Sequence, residues 1–597
     1  YLRDRYATLA DYNQVAGDLA EPYQVLVLED FPQGFSDLAL ERLDGLLQHG
    51  PRCGIFVWID SGAERELPAP LSISLFAKQG IVLQRGATGW SVPQSAVRDW
   101  RCRPEQLPAA EQVDRLLGEV GRRTAAATDI AVPLPPALHD PSARWRRTAA
   151  AELRIPIGQS GADGVQELAL GRGTAQHVLI GGRTGSGKST LLHALITAGA
   201  CCFAPDELEF FLIDFKKGVE FKTYANTQLP HARVVAVESD RAFGLSVLQH
   251  IDRQLDERGQ LFRAAGVQDL AGFRQARPNH PLPRSLLVID EFQELFVEDD
   301  ATAHDAAMLL DRFVRQGRAF GMHVVLGSQS IGGAGNLARS TIGQIGVRIA
   351  LQCSEADSQL LLGDDNTAAR LLERPGEAIY NDRSGQRAGN APFQVYWLDD
   401  DQQRRLLADL PRPTDRRPVV FEGGQPAELD ANSALQEQLA GGPPTPVPTC
   451  WLGEPNALGQ ACRVAFGPGA AGNLLIVGHH RAAALGMAIA SIIGAAAGRS
   501  PQQLRFRILL GDGADERAQT QLTALADRLP HDCELIRPGD AGAAITALAE
   551  GLSAGDDGSA TLLVVLGLQR LPELRMSDAF AFDQQEGPGD RFAELLA

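Results

Sequence analysis

At 597 residues, with 44% apolar and 22% charged side chains, the chain has the length of about three to four domains and an ordinary globular composition, which excludes fibrous and disordered classes. A net charge of −18 argues against a surface that coats nucleic acid indiscriminately, although a local basic path stays compatible with it. The eight cysteines include no C-x-x-C pair and no Cys/His cluster at metal spacing, which predicts reduced thiols and a cytoplasmic setting, with Cys201 and Cys202 as inert helix residues. The chain opens at a tyrosine without a signal peptide. That predicts a piece of a longer protein, with membrane association through an absent segment left open.

In chain order, the first predicted elements are a strand in Leu26-Val-Leu-Glu-Asp-Phe31, a helix, and a second strand within Gly50-Pro-Arg-Cys-Gly54-Ile-Phe-Val-Trp-Ile. They parallel Leu287-Val-Ile-Asp-Glu-Phe292 and Gly317-Arg-Ala-Phe-Gly321-Met-His-Val-Val-Leu further on. Residues 1–130 are therefore expected to form a partial, degenerate copy of a template that recurs. Pro133–Pro141, opening with Pro-Leu-Pro-Pro, is expected to be a linker.

From 140 to 410, apolar runs of strand type alternate with amphipathic helical stretches: Val178–Ile180, Phe210–Ile213, Val234–Val237, Leu286–Ile289 and Val324–Leu326. Such alternation predicts an α/β domain with a mainly parallel sheet flanked by helices. Within it, Gly182-Arg183-Thr184-Gly185-Ser186-Gly187-Lys188-Ser189 fits the phosphate-loop pattern G-x-x-x-x-G-K-[ST] without a mismatch, between a strand and a helix that begins near Thr190. Glycines let backbone N–H groups close around phosphates, and the helix N-terminus adds partial positive charge. Residues Gly182 to Thr190 are thus expected to hold ATP, with Lys188 on the β- and γ-phosphates and the Ser189 hydroxyl on Mg²⁺.

Leu286–Ile289 ends in Asp290-Glu291. The C-terminal ends of parallel strands face the ligand crevice, so Asp290 is expected to hold the Mg²⁺ and Glu291 to act as the base on the attacking water. The next strand ends in Gly327-Ser328-Gln329, which makes Gln329 the candidate γ-phosphate sensor. Asp214-Phe-Lys216-Lys217-Gly218 follows another strand end; its lysines could meet nucleotide, a neighbouring subunit or a substrate, or stay solvated. Arg318 and Arg348 are the candidates for an arginine supplied across a subunit boundary, worth ~10³–10⁵ in rate.

Pro411–Pro448, with Gly-Gly-Pro-Pro-Thr-Pro-Val-Pro, predicts a second linker, and Val419–Phe421 a first strand of a third domain at 417–597. There Asn473-Leu-Leu-Ile-Val-Gly478 repeats the strand before the phosphate loop, but Ala483, Ala484 and Leu485 stand where Gly187, Lys188 and Ser189 would be. The apolar run Ala482–Gly498 is then the helix after a ruined loop, short of the about 20 residues a membrane span needs. Leu562-Leu-Val-Val-Leu-Gly-Leu-Gln-Arg-Leu571 matches Leu286–Leu295, with Leu566 for Asp290 and Gly567 for Glu291. This copy lacks both the phosphate lysine and the metal carboxylate.

The ordered series HVLIGGRTGSGKST, LIDFKKGVEF, LPHARVV, LLVIDEFQELF, GRAFGMHVVLGSQS, RIALQCSEADSQLLLG and RPGEAIYN, from Val178 to Asn381, resembles the FtsK/SpoIIIE family of ring-forming motor ATPases. The resemblance implies tandem RecA-like P-loop NTPase folds, assembly into rings, usually hexamers, and nucleotide held between subunits. DNA-moving members typically read T-Q-R-P where this chain has Ser328-Gln329-Ser330-Ile331, and often Ser-Arg where it has Ser358-Gln359. The tandem arrangement of one intact and other degraded copies is similar to the coupling ATPases of type VII secretion.

Two functions compete, with a non-motor NTP switch as a weaker third. The favoured expectation is an ATP-dependent translocase on double-stranded DNA, whose loops Phe215–Glu220 and Ser330–Thr341, the latter with Arg339, push on backbone phosphates without reading sequence. The alternative is a protein-export ATPase whose dead third copy is a regulatory or partner-docking module.

Overall fold

The computed structural model describes the chain apart from residues 1, 3–5, 63–66, 69–70, 87–88, 93–100, 103–105, 107, 125–130, 216–219, 281, 331, 333–338, 413–416, 423–426, 454–456, 459–461, 468–471, 512–515, 554–558 and 572–597. It divides into two compact units, Tyr1–Gly423 and Gly424–Ala597.

The first unit opens with two parallel strands, β1 (Gln24–Leu28) and β2 (Ile55–Ile59), joined through helix α1 (Asp37–His49). Its centre is a twelve-stranded sheet made of β3 (Val132–Pro133), β4 (Leu153–Ser160), β5 (Gly164–Leu170), β6 (Val178–Gly181), β7 (Leu208–Asp214), β8 (Ala232–Val237), β9 (Arg284–Asp290), β10 (Met322–Ser328), β11 (Val347–Leu351), β12 (Glu377–Asn381), β13 (Ala391–Trp397) and β14 (Val419–Glu422). The order across it is β14-β8-β7-β9-β10-β6-β11-β12-β13-β4-β5, with β3 paired to β13. Strands β14 through β11 in that order run parallel; β12, β13, β4 and β5 continue the sheet in antiparallel pairs.

Strands covered on both faces have no solvent side, so they read as continuous apolar runs. All seven residues of each of β7, β9 and β10 are buried. Helix α2 (Lys188–Cys202) is apolar nearly all round and buried along most of its length, with Leu191, Leu195 and Ala198 in the main core. Its Cys201 and Cys202 are buried thiols pushed up to about 12 and about 11 by desolvation, consistent with inert residues. Helix α3 (Arg241–Ala265) precedes β9, and α4 (Ala301–Phe320) links β9 to β10. The α4 ends are fixed locally: Asp300 accepts from the Ala303 N–H, and Gly321 closes the C-terminus with φ +67°.

Two expectations about linkers are corrected. In the stretch expected to join domains at Pro133–Pro141, Val132 and Pro133 pair with Tyr396 and Trp397 of β13, and Leu134 and Leu138 are buried in the main core. Proline there marks a sheet edge, which it tolerates, as well as a connection. Val419–Glu422, expected to open the third domain, instead adds to the far edge of the first unit's sheet beside β8, with Phe421 stacked on Phe243 at 4.0 Å.

The second unit contains the hairpin β15 (Thr449–Gly453) and β16 (Cys462–Ala465), helix α5 (Arg481–Ala497), and a parallel sheet in which β17 (Leu504–Leu510) lies between β18 (Cys533–Ile536) and β19 (Ala560–Leu566). Ile492 and Ala495 of α5 pack with Phe506 and Ile508 of β17. The expected strand Asn473–Gly478 is not one: it has no ladder partner among the described residues, and Leu475 and Val477 are 78% and 86% exposed.

Backbone conformation at aligned positions is shared. Glu291, directly after β9, is left-handed at φ +52° and caps a 3₁₀ turn; Gly567, directly after β19, does the same at φ +72°. In the first copy Asp30 takes that position at φ +56°. Gly54 and Gly321 are likewise both left-handed, at φ +74° and +67°. A Cβ on Gly50 or Gly317 would meet the carbonyl of Ile55 at 2.7 Å or of Met322 at 2.6 Å. Four glycines therefore meet two matching local requirements.

Candidate nucleotide-binding and hydrolytic site

The phosphate loop leaves β6 at the centre of the sheet and enters α2 at Lys188. Gly185 and Gly187 are left-handed, at φ +80° and +100°. A Cβ on Gly187 would lie 2.9 Å from both the N and Cα of Gly376, and one on Gly182 2.8 Å from Leu351 Cβ, so the loop is wrapped too closely for side chains there. Its frame is held by backbone bonds: Gly182 N–H to Ser328 O at 3.3 Å, Arg183 N–H to Gln352 O at 2.9 Å, and Gly376 N–H to Ser186 O at 2.9 Å. Gly187 is the N-cap of α2 and supplies no side-chain cap, so the first-turn N–H groups keep free donors of the kind that anions take.

The acidic strand end arrives beside this loop. Lys188 Nζ pairs with Asp290 Oδ1 and, at 2.9 Å, with Glu291 Oε1, all three side chains being buried. Burial lifts the Asp290 carboxyl above its ordinary range against the pull of Lys188. For Glu291 burial also pushes upward, but the Lys188 ammonium and bonds from Gln293, Lys188 and the Gln329 amide outweigh it and hold the carboxyl below its ordinary range. Gln293 Nε2 donates to Glu291 Oε2 at 2.8 Å and the Gln329 N–H at 3.1 Å. Thr184 Oγ1 donates to Gln329 Oε1 at 2.9 Å, tying the sensor candidate to the loop.

The Ser189 hydroxyl donates to Glu220 Oε1 at 3.1 Å, and Glu220 Oε2 lies 3.2 Å from His193 Nε2. His193 Nδ1 meets the Tyr224 hydroxyl at 2.9 Å, and Gln403 Nε2 reaches that hydroxyl at 3.1 Å and Thr197 Oγ1 at 3.2 Å. The bond to His193 leads the causes that hold the Glu220 carboxyl below its ordinary range. Sequence reading had placed Glu220 only at the end of a candidate loop. Its signal was faint: a glutamate six residues beyond a strand-end aspartate, with no spacing rule to single it out.

The residues fit a nucleotide with Mg²⁺. A cavity of about 630 Å³ opens along Arg183–Thr190, within the range of small-molecule sites. Among the described residues no cluster of three or more His, Cys, Asp or Glu is arranged to hold a metal alone. Mg²⁺ keeps waters and phosphate oxygens and takes only one or two protein groups; the Ser189 hydroxyl and the Asp290 carboxylate are the residues here that would hold it.

Not every expected residue is brought in. Arg318 is exposed at the C-terminal end of α4, beside the start of β10, whereas the loop sits at the ends of the strands. It is therefore at the opposite edge of the sheet and takes no part in its own chain's cleft. Arg348 is buried in β11, where it donates to the carbonyl of Leu361 at 2.6 Å. Lys216 and Lys217 lie outside the described residues, as does most of Ser330–Thr341; Arg339 opens a short helix to Gly343.

Comparison with known proteins agrees with this geometry. Residues 140–333 match the model of the FtsK/SpoIIIE family. The ESX secretion system protein EccC of Thermomonospora curvata is 28% identical over 458 residues, taking in 70% of this chain and 33% of that protein. The DNA translocase FtsK of Lactococcus lactis subsp. cremoris is 26% identical over 293 residues, 47% of this chain and 36% of that one. The chain spans about a third of the length of these curated relatives. The solved cytoplasmic domain of the Thermomonospora curvata Type VII Secretion ATPase EccC shares the fold at a TM-score of 0.52 and 23% identity, over 73% of this chain and 56% of that one. No helix among the described residues is long and apolar enough to cross a membrane. Phosphate loop, acidic strand end and these matches converge on the central segment: residues 140–333 carry a P-loop ATPase core similar to that of the FtsK/SpoIIIE family.

Proposed function

We propose that the central domain, residues 140–410, hydrolyses ATP with Mg²⁺ and that this work moves a polypeptide, with the degenerate domains at 1–130 and in the second unit serving as docking or regulatory modules. The convergence of Lys188, Asp290 and Glu291 at the phosphate loop carries the hydrolytic part. A bound triphosphate gives Lys188 a stronger anionic partner than the carboxylates. Ser189 and Asp290 are the groups that would hold Mg²⁺, which when bound would supply charge neutralisation on the phosphates. Glu291, relieved of the ammonium, orients the attacking water and accepts its proton; Gln329, fixed by Thr184, donates from its amide to the transferring group. The left-handed backbone of Glu291 costs of order 1–3 kcal/mol and aims its carboxylate back over the loop.

Two observations move the polymer from duplex DNA, the expectation from motifs, to polypeptide. The likeness to the secretion ATPase takes in 70% of the chain, whereas the likeness to the DNA translocase takes in 47%. The net charge of −18 also opposes the phosphate-backbone attraction on which sequence-independent DNA binding rests. Assembly into a ring, six-membered by family likeness, belongs to the same proposal. The test is the ATPase rate of the assembled full-length protein against added duplex DNA at two salt concentrations, and against added export-signal peptide. Stimulation by peptide and indifference to DNA is expected; salt-sensitive stimulation by duplex DNA overturns the polypeptide reading and restores DNA translocation.

A further inference from the structure

The cavity along the phosphate loop has a second wall that triphosphate binding does not explain. Ala131, Pro375, Gly376, Val395 and Trp397 line it together with the loop. The topology brings them there. β13 lies antiparallel to β12, and β12 antiparallel to β11, so β13 runs in the direction of β6 and its last residue, Trp397, ends at the same edge of the sheet as the phosphate loop. Ala131 is held beside it because Val132 and Pro133 pair with Tyr396 and Trp397.

The wall is fastened to the loop. The Gly376 N–H donates to Ser186 O at 2.9 Å, and Gly376 is left-handed at φ +76°, a backbone that favours glycine, with its Cα packed so that a Cβ would lie 2.7 Å from Gln394 Nε2. That amide in turn donates to Pro375 O at 2.9 Å, which fixes the turn. The strand behind is buried at Phe393, Val395 and Tyr396, yet Trp397 is 48% exposed. An open indole on a rigid strand end, next to a proline and an alanine, offers flat apolar area to a planar ring.

We propose that Trp397, with Pro375 and Ala131, is the shelf on which the nucleobase stacks, holding the base by its π-face beside the phosphate cradle. This rests on the nucleotide reading of the cleft and adds the ligand class that the second wall selects: a purine over a pyrimidine, because the larger ring covers more of the indole.

The test measures equilibrium binding of ATP and of inorganic tripolyphosphate, both without Mg²⁺, to the full chain and to Trp397→Ala and Trp397→Phe. Stacking on an aromatic ring is worth about 5- to 150-fold in affinity. Trp397→Ala is expected to weaken ATP by that factor while leaving tripolyphosphate within twofold, and Trp397→Phe to recover most of the loss. The unchanged tripolyphosphate affinity shows that the variant is folded. Unaltered ATP affinity in Trp397→Ala overturns the shelf, and so does a parallel loss of both ligands, which makes Trp397 a prop of the loop. Should the unaltered protein bind neither ligand, the nucleotide reading itself falls.

Discussion

A single lysine holds two acids in check at the centre of this protein. Lys188 contacts both Asp290 and Glu291 within a buried cluster; in the proposed function these are ion pairs that a triphosphate would exchange. Removing one carboxylate by a neutral isostere separates binding from chemistry. Glu291→Gln keeps the shape and one acceptor oxygen for Gln293 and Gln329 while giving up the ion pair with Lys188, and is expected to bind nucleotide while turnover falls ~10²–10⁴-fold, the usual worth of a positioned base; single-turnover hydrolysis at wild-type rate would remove Glu291 from that role. Glu220 acts one step further out. It accepts from Ser189 and is braced by His193, so it orients a hydroxyl that would help to hold Mg²⁺. Glu220→Ala is expected to weaken Mg²⁺-dependent nucleotide affinity by about tenfold, as loss of an outer partner does, while Mg²⁺-free affinity holds. Equal loss with and without Mg²⁺ would make Glu220 a general support of the loop.

Elements explain why some of this was legible in the residues and some was not. That the phosphate loop, Asp290-Glu291 and Gln329 meet at one edge of the sheet was readable because each placement depends on local pattern: glycines for a tight wrap, and polar residues at the end of an apolar strand. Strand β14 and the segment around Pro133 were misread as linker because an edge strand needs only four or two residues, and composition there is dominated by prolines. Asn473–Gly478 has the composition of a buried strand but no partner in the described structure, and ladder pairing, not propensity, decides a strand. Arg318 lies at the sheet edge away from its own chain's phosphate loop, a position that the motif around it does not reveal in sequence. The burial of Arg348 was not legible, because an arginine inside an apolar strand can satisfy its guanidinium on a carbonyl, as Arg348 does on Leu361.

The sheet also carries three buried neutral histidines. Burial pushes His177 and His231 down to about 4, and His323, whose Nε2 accepts from Arg284, well below the ordinary range. Unfolded histidines titrate near 6.5. Their contribution to stability is therefore complete above about pH 6.5 and is lost as the pH falls toward 4, because the unfolded chain takes up protons that the buried rings refuse. Each ring contributes a slope of about 1.4 kcal/mol per pH unit across that window. The thermal midpoint is expected to drop steeply between pH 7 and pH 5; a flat profile would mean that these rings take protons in the folded state.

At the scale of the whole molecule, we infer that three segments derive from one template of which only the central copy keeps its chemistry. Asp30, Glu291 and Gly567 share a left-handed backbone at aligned positions within two residues of a strand end, although only the second sits beside a phosphate-loop lysine. The third copy has Ala484 and Leu485 where the lysine and the metal-binding serine would stand, and Leu566 in place of the metal carboxylate. A fold can keep such geometry after losing function because backbone requirements and catalytic requirements fall on different atoms. The most direct measurement is the stoichiometry of a labelled ATP analogue with Mg²⁺ bound to the full chain and to Lys188→Ala. One nucleotide per chain, lost in the variant, is the predicted result. A second site, or one that survives Lys188→Ala, would contradict the assignment of all nucleotide chemistry to the central domain.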